Sequence, residues 1–208
     1  MPFLMRSWRA HPVALTLLLA AALPGSAAAA GVAAMPFPGQ LLVASRSMND
    51  PRFHHAVILI LRHDQGGAFG IVINRPVGER SIKDLLADIG DSKEADVRGS
   101  LRVFAGGPVE PQLGFVIHTP DYRGKGTLAI DDEVAMTASR AILVAIGHGR
   151  GPKQSFIAFG YAGWAAGQLE RELAEHAWYT APGDPTLIFG TPRADLWDKA
   201  MALRLREL

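Results

Sequence analysis

The 208-residue chain carries 21 basic and 20 acidic residues, is 49% hydrophobic and 20% charged, and contains no cysteine. That composition suits one ordinary globular domain. It excludes disulfides, thiolate catalysis and cysteine-ligated zinc, so the core alone must hold the fold.

The first thirty residues set themselves apart. Arg6 and Arg9 form a basic segment, Val13–Leu23 is an apolar run, and Pro24–Ala30 supplies small residues. This pattern predicts a secretory signal over residues 1–30, cleaved near Ala28–Ala30; the apolar run is too short for an ordinary membrane span. The mature domain would then run 31–208 and be exported to the periplasm or beyond. Met35, opening MPFPGQLLVAS, is the alternative start and implies a cytoplasmic protein. The leader holds two of the 21 basic residues and none of the 20 acidic ones, which leaves 19 against 20 in the body. A near-neutral body offers no general counterion-release drive, so nucleic acid is not an expected partner.

Gly39–Ser45 reads as a strand and Arg46–Phe53 as a loop around the turn Asn49-Asp50-Pro51. Ala56–Leu61 is continuously apolar and predicts a strand buried on both faces. His63–Gly67 turns the chain, and Ala68–Asn74 returns as the second arm of a hairpin ended by Pro76. Ser81–Gly90 predicts a helix: Ile82, Leu85, Leu86 and Ile89 share one face, and Ser81 with Asp84 forms a capping pattern. Asp91–Ser100 reads as a polar loop. Strands follow at Leu101–Ala105 and Leu113–His118 around Gly106–Val109, with another over Thr127–Ile130. Thr137–Ile146 reads as a helix stopped by Gly147, Gln154–Tyr161 as a strand, Gly167–Ala177 as a helix and Thr186–Phe189 as a strand. Thr191-Pro192 opens a last helix with an apolar stripe of Leu196, Trp197, Ala200, Met201 and Leu205. These elements amount to a single α+β domain with a largely antiparallel sheet, flanked by about four helices.

Phosphate loops, nucleophile elbows and zinc-protease motifs are absent. The densest segment is GYAGWAAGQLE, Gly160–Glu170. Its glycines suit close packing, Tyr161 and Trp164 fill space and offer hydrogen bonds, and Glu170 complements the dipole of the helix it enters. A helix from Gly167 would put Gln168, Glu172 and His176 on one face, where Glu172 and His176 could pair. His63 beside Asp64 invites acid–base chemistry, although neighbouring side chains in a turn usually diverge. Arg75, in Asn74-Arg75-Pro76, could clamp an oxyanion or tie down its loop. Gly106 and Gly107 demand a special backbone and expose N–H groups. His54-His55 could begin a metal site, but no partner of recognised spacing follows, so neither metal nor cofactor is expected.

In order, FPGQLLVAS, MNDPRF, the His63–Pro76 segment HDQGGAFGIVINRP, FAGGPV, GFVIH and GYAGWAAGQLE resemble the YqgE/AlgH family of bacterial proteins from about Pro38 to the C-terminus. The resemblance implies a bifurcated sheet folded into a pseudo-barrel, and a family named partly for a proposed role in transcriptional regulation of alginate synthesis. It transfers no catalytic residue. Two features depart from the family: Arg46 stands where a proline is usual, and the leader is foreign to proteins generally regarded as cytoplasmic. The first functional expectation is a non-enzymatic binding or regulatory protein with a pocket or interface near Trp164–Glu172, its partner a protein or small molecule. An enzyme using His63, Asp64, Asn74, Arg75 and Glu172 is the alternative, and a transcriptional regulator comes third.

Overall fold

The computed structural model describes residues 38–90 and 96–204. The leader, the alternative start at Met35, the first half of the polar loop and Leu205 lie outside the described residues. Ten strands and four α-helices occur among the described residues. The strands are β1 Leu41–Ala44, β2 Val57–Asp64, β3 Gly67–Val72, β4 Pro76–Ser81, β5 Ser100–Ala105, β6 Val109–His118, β7 Thr127–Ala129, β8 Ala135–Thr137, β9 Ser155–Ala165 and β10 Trp178–Ala181. The helices are α1 Ile82–Asp88, α2 Arg140–Gly147, α3 Gln168–Ala174 and α4 Leu196–Ala202.

The sheet runs β10-β1-β2-β3-β9-β6-β8-β7, and β5 with β4 branches from β9. It curls into a half-barrel, giving the expected α+β domain. The predicted bifurcation has a definite place. One edge of β9 pairs with β5 through Ile157–Phe159 and with β3 through Ala162–Ala165. Between the two stretches stands Gly160, at φ +75°.

Side-chain alternation explains the core. Val57, Leu59 and Leu61 face a cluster with Leu41, Val43, Phe156 and the stripe of α4, while Ile58 and Ile60 face a second cluster with Leu42, Trp164, Leu169 and Trp178. This is the strand buried on both faces that the apolar run predicts. A third cluster packs α1 and α2 against Leu101, Val103 and Ile157. Left-handed Gly160 changes the alternation: Phe156 and Ala158 belong to the first cluster, but Ala162 and Trp164, of the same parity, belong to the second.

The glycines hold the fork together by backbone contact. Gly106 donates to the Phe159 carbonyl at 2.7 Å and accepts from the Val72 N–H at 2.8 Å, so it bridges β9 and β3. A Cβ on Gly106 would come within 2.4 Å of the Gly160 oxygen, and one on Gly107 within 2.1 Å of the Tyr161 carbonyl carbon. Two segments distant in sequence are thus glycine-rich for one reason.

Several elements differ from expectation. Thr186–Phe189 is not a strand but part of a π-helical turn, Thr186–Gly190. Asp184 accepts from the Thr186 N–H through its carboxylate and from the Leu187 and Ile188 N–H groups through its carbonyl, and this turns the apolar run inward. Strands β4, β8 and β10 are additional to the sequence reading. Helix α2 starts at Arg140 because Ser139 Oγ accepts from the Ala141 N–H, and Gly147 is its last residue rather than its stop. A short 3-10 turn, Arg193–Asp195, separates Pro192 from α4. Ser81 Oγ accepts from the Asp84 N–H at 3.0 Å, as the capping pattern requires.

Candidate functional site

The GYAGWAAGQLE segment leaves β9, passes Gly167 at φ +72° and enters α3. Its side chains converge on Glu172. Glu172 Oε2 accepts from Trp164 Nε1 and Trp178 Nε1, each at 2.8 Å, and Oε1 accepts from Gln168 Nε2 at 2.8 Å. Gln168 Oε1 in turn accepts from the Ala165 N–H at 3.0 Å. The indoles of Trp164 and Trp178 meet edge to face with centroids 5.9 Å apart, and Phe53 meets Trp178 at 5.6 Å. Together they line a cleft of about 230 Å³, to which Met48, Asp50, Arg52, Pro108 and Val109 also contribute. Arg52 forks onto Asp50 at the same cleft, with its Nε and Nη2 donating to the carboxylate. The Glu172–His176 pair does not form as expected. Helix α3 ends at Ala174 and His176 is left-handed at φ +54°, so β10 supplies Trp178 as the partner instead.

Glu170 serves a different contact. His63 Nε2 lies 2.9 Å from Glu170 Oε1, which ties the β2–β3 hairpin to α3. The His63 side chain is 2% exposed. Burial opposes ionisation of Glu170, but its own N–H, the His63 hydrogen bond and the charges of His63 and Arg171 prevail and hold its carboxyl below the usual range. His63 and Asp64 diverge as turn neighbours do, although both lie at the end of β2 and only Gln65 and Gly66 form the turn. Asp64 Oδ1 accepts from the Gly66 N–H at 2.7 Å.

Asn74 and Arg75 sit elsewhere. Asn74 accepts from the Val57 N–H and donates to the His55 carbonyl, while Arg75 Nη2 donates to the His54 carbonyl at 3.3 Å. They line a second cleft of about 330 Å³ with His54, His55, Arg193 and Trp197. The five-residue cluster His63, Asp64, Asn74, Arg75 and Glu172 therefore does not line a common cleft: Glu172 opens on the first, Asn74 and Arg75 on the second, and His63 and Asp64 on neither. Gly106, Gly107 and Tyr161 build the fork. Tyr161 packs on Phe69 and Phe115, and burial followed by the Glu110 charge pushes its hydroxyl pKa up.

Trp178, Phe53 and Arg193 are cleft residues that the sequence reading does not single out. Trp178 lies past the helix whose spacing drew attention, Phe53 ends a loop, and Arg193 lies at the start of the last helix, outside its apolar stripe. Among the described residues no group of three or more His, Asp or Glu side chains is arranged to hold a metal ion.

The family described as AlgH-like matches residues 41–206. A UPF0301 protein of Sphingopyxis alaskensis is 44% identical over 166 residues, 80% of this chain and 88% of its own length. One from Rhodospirillum rubrum is 45% identical over 163 residues, 78% of this chain and 84% of its own. Among solved structures, the AlgH protein of Pseudomonas aeruginosa superposes with a TM-score of 0.67 at 35% identity, over 82% of this chain and 90% of that one. A Corynebacterium diphtheriae protein shares the fold at a TM-score of 0.64 and 23% identity, over 80% and 86%. Family match, sequence relatives and shared architecture agree: the chain belongs to the AlgH-like family.

Proposed function

We propose that this protein is a non-enzymatic binding protein whose cleft beside β9 receives a cationic group of a small molecule or protein partner. The observation that carries the reading is Glu172. Three uncharged donors orient its carboxylate in a cleft walled by Trp164, Trp178 and Phe53. An ammonium or guanidinium entering there meets aromatic faces, worth about 0.5–2 kcal/mol each. It also meets a fixed anion with acceptor capacity left on Oε1. Arg52, the one arginine or lysine lining this cleft, is already forked onto Asp50.

Titration with tetramethylammonium and methylguanidinium, followed through the indole ¹H–¹⁵N signals of Trp164 and Trp178, tests the reading. Saturable shifts are expected, lost in Glu172→Gln and weakened in Phe53→Ala. Shifts that never saturate, or that persist unchanged in Glu172→Gln, would overturn it.

Regulation through such a partner fits the chain better than regulation through DNA, since beyond residue 30 it carries 19 basic against 20 acidic residues. Export follows the basic, apolar and small-residue order of the leader. N-terminal sequencing of the native protein with cell fractionation checks it, and a chain starting at Met35 in the cytoplasm would refute it.

A further inference from the structure

We propose that the second cleft is a separate binding site for a small molecule bearing an oxyanion, a phosphate monoester or a carboxylate, gripped by Arg75 and Arg193. The cleft holds about 330 Å³, with His54, His55, Arg75, Arg193, Trp197 and Asp198 in its lining.

Arg193 is the first argument. Its Nη1 donates to the Leu187 carbonyl at 3.2 Å and its Nη2 to the Ile188 carbonyl at 2.7 Å, while Nε is buried without a hydrogen-bond partner. The guanidinium lies over the rings of Phe104 and Phe156, 5.5 and 6.0 Å from their centroids. Carbonyls satisfy hydrogen bonds but leave the charge uncompensated. Among the described residues no carboxylate lies within 4.0 Å of it. Burial, then the like charge of Arg102, pushes its pKa down to about 10. A half-buried cation without a counter-ion bears part of the cost of leaving water, and a bound anion offsets it.

Arg75 is the second. One nitrogen of its fork holds the His54 carbonyl, and most of its five donors remain for a ligand. Asp50, the carboxylate that feels the charge of Arg75, is forked by Arg52. Asp198, the one carboxylate lining the cleft, is exposed.

The loop between the two arginines is built to stay in place. Asn74 fastens His55, which sits at φ +53°, and His55 stacks between His54 at 4.1 Å and Trp197 at 4.2 Å. Trp197 Nε1 donates to the Ala44 carbonyl at 2.9 Å. A strained, pinned loop beside two guanidiniums is a preorganised wall.

The test titrates the protein with inorganic phosphate and, separately, succinate, against sodium chloride at the same ionic strength. The readouts are the Trp197 indole signal and the arginine Nε signals. Either anion should give saturable shifts at Trp197 that chloride does not. The tighter of the two identifies the class of oxyanion. Arg75→Gln should weaken binding about tenfold or more, as loss of a charge-assisted fork implies. Arg75→Lys, which keeps the charge without the fork, should fall between, and substitution of an exposed arginine that lines neither cleft, Arg123→Gln, should leave binding unchanged. Shifts equal to those of chloride in the wild-type protein overturn the proposal even if the variants fail to fold. So does saturable binding that is indifferent to Arg75, or that reports only at Trp164 and Trp178.

Discussion

Gly107→Ala against Gly78→Ala isolates the contact that holds the fork. The two glycines have nearly the same φ, +155° and +152°. A Cβ on either carries the backbone strain of that region, of order 1–3 kcal/mol. A Cβ on Gly78 meets nothing within 4 Å, whereas one on Gly107 falls 2.1 Å from the Tyr161 carbonyl carbon, 2.2 Å from its oxygen and 2.5 Å from Ala162 N. These three nearest atoms are all backbone, so no side-chain movement relieves them. Relief requires the Gly106–Gly107 segment to retreat by more than about an ångström from β9, since carbon atoms prefer about 3.5–4.0 Å. That movement breaks the bonds Gly106 makes to Phe159 and Val72. Two such bonds contribute about 1 kcal/mol each, and more if their groups stay buried and unpaired. Gly107→Ala should therefore cost at least about 2 kcal/mol more than Gly78→Ala. In a domain of this size the melting temperature should fall a further ~4–8 °C. Urea unfolding followed by tryptophan fluorescence, with both variants beside the wild type, measures the difference. Equal midpoints for the two alanine variants would refute the interlocked fork.

Two further outcomes are expected. Trp178→Phe keeps an aromatic ring against Phe53 and Trp164 but removes one of the donors to Glu172. Urea unfolding should show a loss of about 1.5–3 kcal/mol, and a loss below about 0.5 kcal/mol would deny that the carboxylate depends on both indoles. His118, fully buried, has its Nδ1 2.8 Å from the Thr119 carbonyl. Since a carbonyl only accepts, Nδ1 carries the proton and Nε2 accepts from Thr137 Oγ1 at 2.9 Å. Burial keeps the imidazole neutral, lowering its pKa despite the Thr119 carbonyl and Asp121. The unfolded chain therefore binds a proton that the fold refuses, and stability must fall as pH drops from about 6.5 toward the depressed value. His118→Phe should flatten that part of the stability profile between pH 7.5 and 5.5 relative to the wild type; an unchanged slope would refute the assignment.

The parts of the fold legible in the sequence are those whose signal is local. The apolar run at Ala56–Leu61 reads as a strand buried on both faces and is one from Val57, and Ile82, Leu85 and Leu86 recur at helical spacing above a serine cap, although Ile89, expected on the same face, is exposed beyond the helix end. Where local signal and tertiary use part company, the reading fails. Leu187-Ile188-Phe189 is a short apolar run that suits a strand, yet the Asp184 cap winds it into a π-helical turn that buries the same three side chains. Strand β10 has four residues, no alternation to reveal it, and exists because β1 offers it an edge. The glycine density of the two motifs is visible, but that Gly107 lies on Tyr161 is a fact of the closed sheet.

The candidate site divides in the same way. Four-residue spacing correctly joins Gln168 to Glu172, because both lie within α3. It then extends the face to His176, one turn too far, and passes over Trp178, whose contact with Glu172 depends on β10 returning beside the helix. The paired polar dipeptides mislead for a related reason. His63 and Asp64 are neighbours in sequence, so a strand sends their side chains apart, and His63 meets Glu170 in the first turn of α3. This bears on whether the motif is brace or binding surface, since the two uses are not rivals. Trp164 and Gln168 hold strand and helix together through the carboxylate they orient, and a carboxylate so held needs no rearrangement to meet a cation. The rigidity that makes the segment architectural is the property a binding cleft requires. On the proposed reading, motif residues fix the anion, and Met48, Asp50, Arg52 and Phe53 add the loop-borne part of the cleft on which partner specificity would rest.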